Sequence, residues 1–213
     1  MICTVCFFKA VQTVNPPNGS VGSSQIAASI ITGQTALGAT PADTDELLIS
    51  DAGTLKRVDY SYLKSANTPA FEAYLSSDQT GVSDNSATKV EIDTELFDTD
   101  GCYDNSTNYR FTPTTAGKYF VYASVNGKTD NAAYLTHMNL YIYKNGSLYK
   151  YIEQDFRSAN AFIITTQAEA IIDMNGSSDY LEVYGVLDYT SGAGRFQANT
   201  KNTYFGAYKL IGV

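Results

Sequence analysis

Thr112-Pro113-Thr114-Thr115-Ala116-Gly117-Lys118-Tyr119-Phe120-Val121-Tyr122-Ala123-Ser124-Val125 is the stretch whose reading decides the fold. Its first half is a cluster of turn formers. Its second half is a run of aromatic and β-branched residues too short for a buried helix and bounded by Asn126-Gly127. That composition between turn signals predicts a β-strand. Similar runs recur on the C-terminal side: Asn139-Leu140-Tyr141-Ile142-Tyr143, residues 180–187 and residues 204–211. In residues 180–187, Tyr180, Glu182, Tyr184 and Val186 fall on one face and Leu181, Val183, Gly185 and Leu187 on the other. Asn-Gly occurs at 126–127, 145–146 and 175–176, at or near the ends of these runs, and is expected to form tight turns with positive φ. Helical spacing is nowhere sustained. Residues 167–172 come nearest, but the run begins Phe162-Ile163-Ile164, which favours a strand. From Pro69 onward the chain therefore reads as all-β.

Several of these strands carry aromatic residues on both faces. A monomeric sandwich needs one apolar face per strand. The surplus predicts burial against a neighbour, where tyrosine can keep its hydroxyl wet.

Composition sets the outer bounds. The chain has 213 residues, 44% of them hydrophobic and only 17% charged, with 17 Tyr and 10 Phe. That is enough apolar surface for a core and argues against disorder. A formal charge of −8 argues against nucleic acid as partner. No apolar run approaches the roughly 20 residues of a membrane helix, so no membrane insertion is expected. Residues 2–8 are apolar but lack a basic leader, and no secretory signal is read there.

The N-terminal part differs in character. Residues 15–40 are small and polar, with one or two helical turns expected within 25–31, and read as a linker or strip. Leu47-Leu48-Ile49, the turn Ser50-Asp51-Ala52-Gly53 and residues 55–58 read as a hairpin, followed by a helical turn with Asp59 suited to cap it. A lone hairpin is marginal. The boundary falls between an attachment or stalk segment, 1–68, and an all-β head, 69–213.

Motifs of chemistry are sparse. Cys3, Cys6 and Cys102 are too few and too unevenly spaced for a disulfide framework. Cys3 and Cys6 form a C-x-x-C, but zinc would need two more ligands, and only Cys102 and His137 remain. The plainer reading places both in a short apolar strand. His137 is the one imidazole, with no convincing triad around it. Asp93 and Glu95, at i and i+2, read as a solvated strand face rather than a catalytic pair. Asp98, Asp100 and Asp104 form an acidic loop without the spacing or terminal Glu of a calcium-binding hand. No phosphate-binding glycine loop is present. No catalytic, cofactor or metal site is therefore assigned, and no enzymatic activity is expected.

Six pieces in order carry a family resemblance: Pro69-Ala70-Phe71-Glu72-Ala73 as an opening strand; Lys89-Val90-Glu91-Ile92-Asp93-Thr94-Glu95-Leu96-Phe97 as a second; Tyr103-Asp104 followed by Phe111; the Pro113 and Gly117-Lys118-Tyr119 turn; Lys144-Asn145-Gly146; and the closing Tyr204-Phe205-Gly206-Ala207-Tyr208. Residues 69–213 thus resemble the complement globular-head family, the C-one-q-like domains related to tumour necrosis factor. The resemblance implies a jelly-roll β-sandwich of about ten antiparallel strands in a tight homotrimer. A threefold heterologous ring would also absorb the aromatic surplus. Residues 19–27 (Gly-Ser-Val-Gly-Ser-Ser-Gln-Ile-Ala) and 44–61 resemble segments of virion structural and tail-fibre proteins of marine bacteriophages.

Three function classes follow. The leading one is a non-enzymatic phage virion protein, a tail fibre or related appendage. Its N-terminal segment would contact other virion proteins, and its trimeric head a host cell-surface glycan or protein. The alternatives are a secreted complement-type carbohydrate- or protein-binding module and a glycan-cleaving enzyme. If the chain enters the head near Pro69 and leaves beside it, residues 77–88 and 188–202 lie together at the far end. The longer loop carries Tyr189, Arg195 and Phe196, the expected receptor-binding residues.

Overall fold

The computed structural model describes residues 16–17, 21, 26–64, 66–130 and 132–212. The strand reading of residues 2–8, Cys3 and Cys6, and most of the segment 19–27 lie outside the described residues. The chain divides into two units, Met1–Lys64 and Ser65–Val213.

In the first unit, Ser29–Thr32 forms a single turn of helix, α1, with no buried residue. Strands β1 (Glu46–Asp51) and β2 (Thr54–Asp59) make the expected hairpin. Its turn places Ala52 and Gly53 at positive φ (49° and 83°), the tight-turn geometry whose twist matches paired strands. A 3-10 turn, Tyr60–Tyr62, follows. Asp59 stands at its cap position, but its side chain makes no capping hydrogen bond. Instead the Tyr60 and Ser61 N–H groups donate to the Asp45 and Asp43 carbonyls. Register puts Leu48 and Leu55 on one face of the hairpin and Leu47, Ile49 and Val58 on the other. Leu48 and Leu55 are 73% and 70% exposed, so neither face has a core of its own.

The second unit is an all-β sandwich of jelly-roll type with thirteen strands: β3 (Ala70–Tyr74), β4 (Gln79–Val82), β5 (Thr88–Lys89), β6 (Thr94–Asp98), β7 (Tyr103–Asp104), β8 (Arg110–Phe111), β9 (Gly117–Thr129), β10 (Leu135–Lys144), β11 (Ser147–Asp155), β12 (Ile163–Met174), β13 (Leu181–Tyr189), β14 (Gly194–Phe196) and β15 (Tyr204–Lys209). Three of them, β5, β7 and β8, are two-residue pieces. One sheet runs β4-β14-β9-β15-β3-β6 with β12 on the free side of β9. The other runs β11-β10-β13-β8-β7 with β5 also on β13. The named strands pair antiparallel throughout.

Period-two alternation fills the space between the sheets. Tyr119, Val121, Ala123 and Val125 of β9 point inward, as do Met138, Leu140 and Ile142 of β10. β12 alternates almost perfectly between exposed and buried positions, which settles residues 167–172 as strand. Aromatic residues from four of the six motif pieces converge here. Phe71 stacks on Tyr103 and on Phe111, both at 4.6 Å, and meets Phe205 edge-on at 4.9 Å. Phe111 in turn contacts Tyr119 at 5.6 Å. The buried phenols keep hydrogen bonds: Tyr103 donates to the Ile92 carbonyl and Tyr119 to that of Thr115. Burial pushes the Tyr119 phenol up to about 12.

Three expectations are corrected. Asn126-Gly127 is not a turn but lies inside β9. A Cβ on Gly127 would come within 2.5 Å of Leu187 Cδ2 and 2.8 Å of Met138 Sδ, so this glycine serves close approach of the two sheets. The other two Asn-Gly pairs do form turns. Asn145 and Gly146 both take positive φ between β10 and β11, and Asn175 Oδ1 accepts the Ser177, Ser178 and Asp179 N–H groups between β12 and β13. The stretch 89–97 is not one strand. β5 pairs with β13 in one sheet and β6 with β3 in the other, and buried Val90 and Ile92 lie in the crossing between them. Finally, residues 188–202 are only partly a loop, since β13 runs to Tyr189 and Gly194–Phe196 is a strand paired with both β4 and β9.

Candidate binding surface

The chain ends of the sandwich do lie together: the Lys209 N–H donates to the Pro69 carbonyl at 3.1 Å. The segments 77–88 and 188–202 meet through the β4–β14 pairing. The expected receptor-binding residues are therefore neighbours, but their side chains are occupied by the fold. Phe196 is fully buried, its ring seated on Gly185, where a Cβ would come within 2.5 Å of it. Tyr189 donates its hydroxyl to the Val82 carbonyl at 3.0 Å, and its N–H goes to Asp84 Oδ1 at 2.9 Å. Arg195 is clamped by Asp130, with Asp78 Oδ2 at 3.6 Å from Nη1. Asp78 also accepts the Ala198 N–H. These contacts pin β14 and the chain after it. Phe196 offers no surface to a receptor, a correction to the expectation that it does.

The other singled-out side chains have structural partners too. Asp93 accepts from the Ser76 N–H and hydroxyl at 2.8 and 2.6 Å. It precedes β6, so it does not share a strand face with Glu95. His137 Nε2 lies 2.8 Å from Glu153 Oε1 across the β10–β11 pair. In the acidic loop, Asp98 receives the Tyr103 and Asp100 N–H groups. Asp104 receives those of Thr107, Ser106 and Asn108 and the Asn108 amide. With the Thr107 N–H as the largest cause, and the Asn108 side chain and the remaining N–H groups adding to it, the Asp104 carboxyl is lowered to about 2. Among the described residues no group of three or more His, Cys, Asp or Glu is placed to hold a metal. Cys102 is buried and free. Among the described residues there is no pocket, and no helix is long and apolar enough to cross a membrane.

What the sandwich does present is sheet faces. On the outer face of the seven-stranded sheet, cross-strand register sets Phe120 beside Tyr208, Tyr122 beside Gly206, and Tyr204 beside Tyr74. The Phe120 and Tyr208 rings lie 5.5 Å apart and those of Tyr122 and Tyr204 6.1 Å apart. Phe97, opposite Glu72, continues the patch to the β6 edge. Two of the hydroxyls on this face are bonded within the chain: Tyr122 donates to Glu72 Oε2 at 2.7 Å, and Tyr204 accepts from Gln167. With Phe97 and Phe120 beside them, these rings show mainly hydrocarbon. Burial, reinforced by the Glu72 carboxylate, raises the Tyr122 phenol.

A second apolar surface lies at the sandwich edge, where β11 and β12 each pair on one side only. Tyr149 reaches from β11 to the Ile171 carbonyl of β12 at 3.3 Å, and Lys150 to that of Glu169 at 2.6 Å. Leu148 and Tyr149 are exposed along β11 and Phe162 just before β12, while Ile171, 56% exposed and opposite Phe120 in the register, carries the aromatic face onto β12 up to this edge. The sequence signal for both surfaces was present as aromatic residues on alternate strand positions. What it lacked was which strands adjoin.

No protein-family model matches the sequence, and no curated protein matches it. Among solved structures the chain is similar to murine APRIL at pH 5.0, with 11% identity and a TM-score of 0.49 over 66% of this chain and 98% of that one. It is similar to the Eiger TNF of S. frugiperda, with 12% identity and a TM-score of 0.48 over 68% and 93%. It is also similar to the globular domain of a zebrafish complement 1qA protein, with 12% identity and a TM-score of 0.43 over 68% and 98%. With every TM-score below 0.5, these likenesses carry no inference about assembly or ligand.

Proposed function

We propose that the chain is a non-enzymatic structural and binding protein of a phage virion, an appendage of tail-fibre type whose sandwich assembles as a homotrimer and contacts the host-cell surface. The observation that carries the assembly is the pair of unlike apolar surfaces on the sandwich, an aromatic sheet face and a β11–β12 edge. A twofold contact joins a patch to itself, whereas two different patches join head to tail, in a ring where the rotation closes and in a filament where it does not. Three copies, each setting its edge on the next copy's aromatic face, leave neither surface wet. The hairpin, apolar on both faces, supports the reading of the N-terminal unit as a segment stable only against other chains. The virion assignment rests on the resemblance of residues 19–27 and 44–61 to phage structural proteins.

An antibody raised against residues 69–213 tests the function. It should label intact particles of the phage that carries this gene and block their adsorption. Unlabelled particles, in a preparation where capsid antibody labels them, would overturn the virion reading.

A further inference from the structure

The outer face of the six-stranded sheet differs in kind from the aromatic face opposite. Register places Tyr151 of β11 and Tyr184 of β13 on either side of Tyr141 of β10. Tyr143 meets Tyr184 edge to face at 4.6 Å and 88°. Tyr141 stands at 77° to Tyr143 and 84° to Tyr151, both at about 6 Å. Four rings thus hold one another perpendicular on three adjacent strands, which fixes positions more firmly than loops do. Tyr151 is 53% exposed and the other three are partly exposed.

The polar groups here are left open. Among the described residues the Tyr143 and Tyr151 hydroxyls have no hydrogen-bond partner, and Tyr141 accepts from Asn139 Nδ2 at 3.0 Å with its own proton still available. Asn139 is more than nine-tenths buried beside that hydroxyl, and its Oδ1 has no donor. Unmatched hydroxyls on ordered rings are poor material for a dry protein contact. They suit a ligand that offers a C–H face to stack and hydroxyls to exchange hydrogen bonds.

Charge narrows the ligand. Lys89, 5.7 Å from the Tyr184 centroid and hydrogen-bonded to that side chain, is paired with Glu182 at 2.6 Å. Glu153, Asp155 and Asp188 line the other end of the same face across from Asn139 and His137, three acids against the one guanidinium of Arg157, which is bonded to Asp155. With a chain charge of −8, an anionic polymer is repelled. We infer that this four-tyrosine face is a binding platform for a neutral saccharide chain, with Tyr141, Tyr143, Tyr151 and Tyr184 stacking on and hydrogen-bonding to successive sugars. The inference rests on the reading of the sandwich as a binding module. Three platforms on a trimer would multiply a weak single-site affinity by about 10²–10⁴.

Native affinity electrophoresis of the full chain tests this in gels containing dextran, mannan, xylan or galactan, with alginate as the anionic comparison. At least one neutral polysaccharide should retard the protein and alginate should not. Tyr151→Ala should weaken retardation about tenfold, and Tyr143→Phe, which removes only a hydroxyl, should weaken it less, both at unchanged mass. No retardation by any neutral polysaccharide, or stronger retardation by alginate, overturns the saccharide assignment while leaving the assembly reading intact. Retardation unaffected by both substitutions places the site elsewhere. Loss of the trimer in Tyr151→Ala makes this face a subunit contact and overturns the inference too.

Discussion

Gly206→Ala is the substitution that most directly probes the aromatic face. Gly206 sits in β15 between Tyr122 and Glu72, paired to both strands. A Cβ there would lie 2.3 Å from Tyr122 Cζ, 2.4 Å from its hydroxyl and 2.6 Å from Cε2. Ordinary carbon contacts lie at about 3.5–4.0 Å, so the ring must retreat by about 1 Å. The backbone cannot give way, because it is hydrogen-bonded on both sides. The 2.7 Å hydrogen bond from Tyr122 to Glu72 is then broken. A bond to a charged group contributes about 1.5–3 kcal/mol, at the low end for a half-exposed pair. Replacing glycine returns about 0.4–1 kcal/mol through the unfolded state. Folding of the single chain should therefore weaken by only about 1 kcal/mol. The proposed trimer would feel more, because the ring would be displaced at three interfaces. At about 1 kcal/mol per aromatic contact the loss is about 3 kcal/mol, or about two orders of magnitude in dissociation. Dilution followed by mass photometry reads dissociation, and urea melts read folding. A folded Gly206→Ala protein whose trimer dissociates as the native one does would refute the reasoning and remove this face from the interface.

Two further outcomes follow from individual side chains. Gly127→Ala should destabilise the fold by about 1–3 kcal/mol through overpacking against Leu187 and Met138. Leu187→Ala in the same chain should relieve the closer of the two contacts and lower the cost of the glycine substitution, and strict additivity in a double-mutant cycle would contradict the close-approach role. The Asp104 carboxyl is depressed from 3.8 to about 2, so its contribution is full above pH about 4 and lost as pH falls through about 2. The difference in Tm between the native protein and Asp104→Asn should hold steady from pH 7 to about 4.5 and shrink below that. A difference independent of pH would show that the backbone N–H groups do not hold the charge.

Much of the fold was legible because strand alternation is a local signal. Residues 118–125 and 139–143 are strands, the runs read at 180–187 and 204–211 are strands from 181 and up to 209, and the hairpin at Ala52-Gly53 is where turn chemistry placed it. The misreadings share a cause. Glycine serves two ends, positive φ and close approach, and Asn126-Gly127 looks like Asn145-Gly146 until Met138 and Leu187 are seen to pack on it. A strand that changes sheets, as residues 89–97 do, keeps its local pattern while its partners switch. Gly194-Arg195-Phe196 is too short to signal a strand, so Phe196 passed for a loop residue although Gly185 opens a core position for it. The tyrosine platform was visible only as a surplus, since its four rings come from three strands.

Sedimentation equilibrium of the full chain from micromolar down to nanomolar concentration should give about 69 kDa throughout, three times the 23.1 kDa chain. A mass near that of one chain at micromolar concentration would leave both apolar surfaces exposed in solution and contradict the head-to-tail ring.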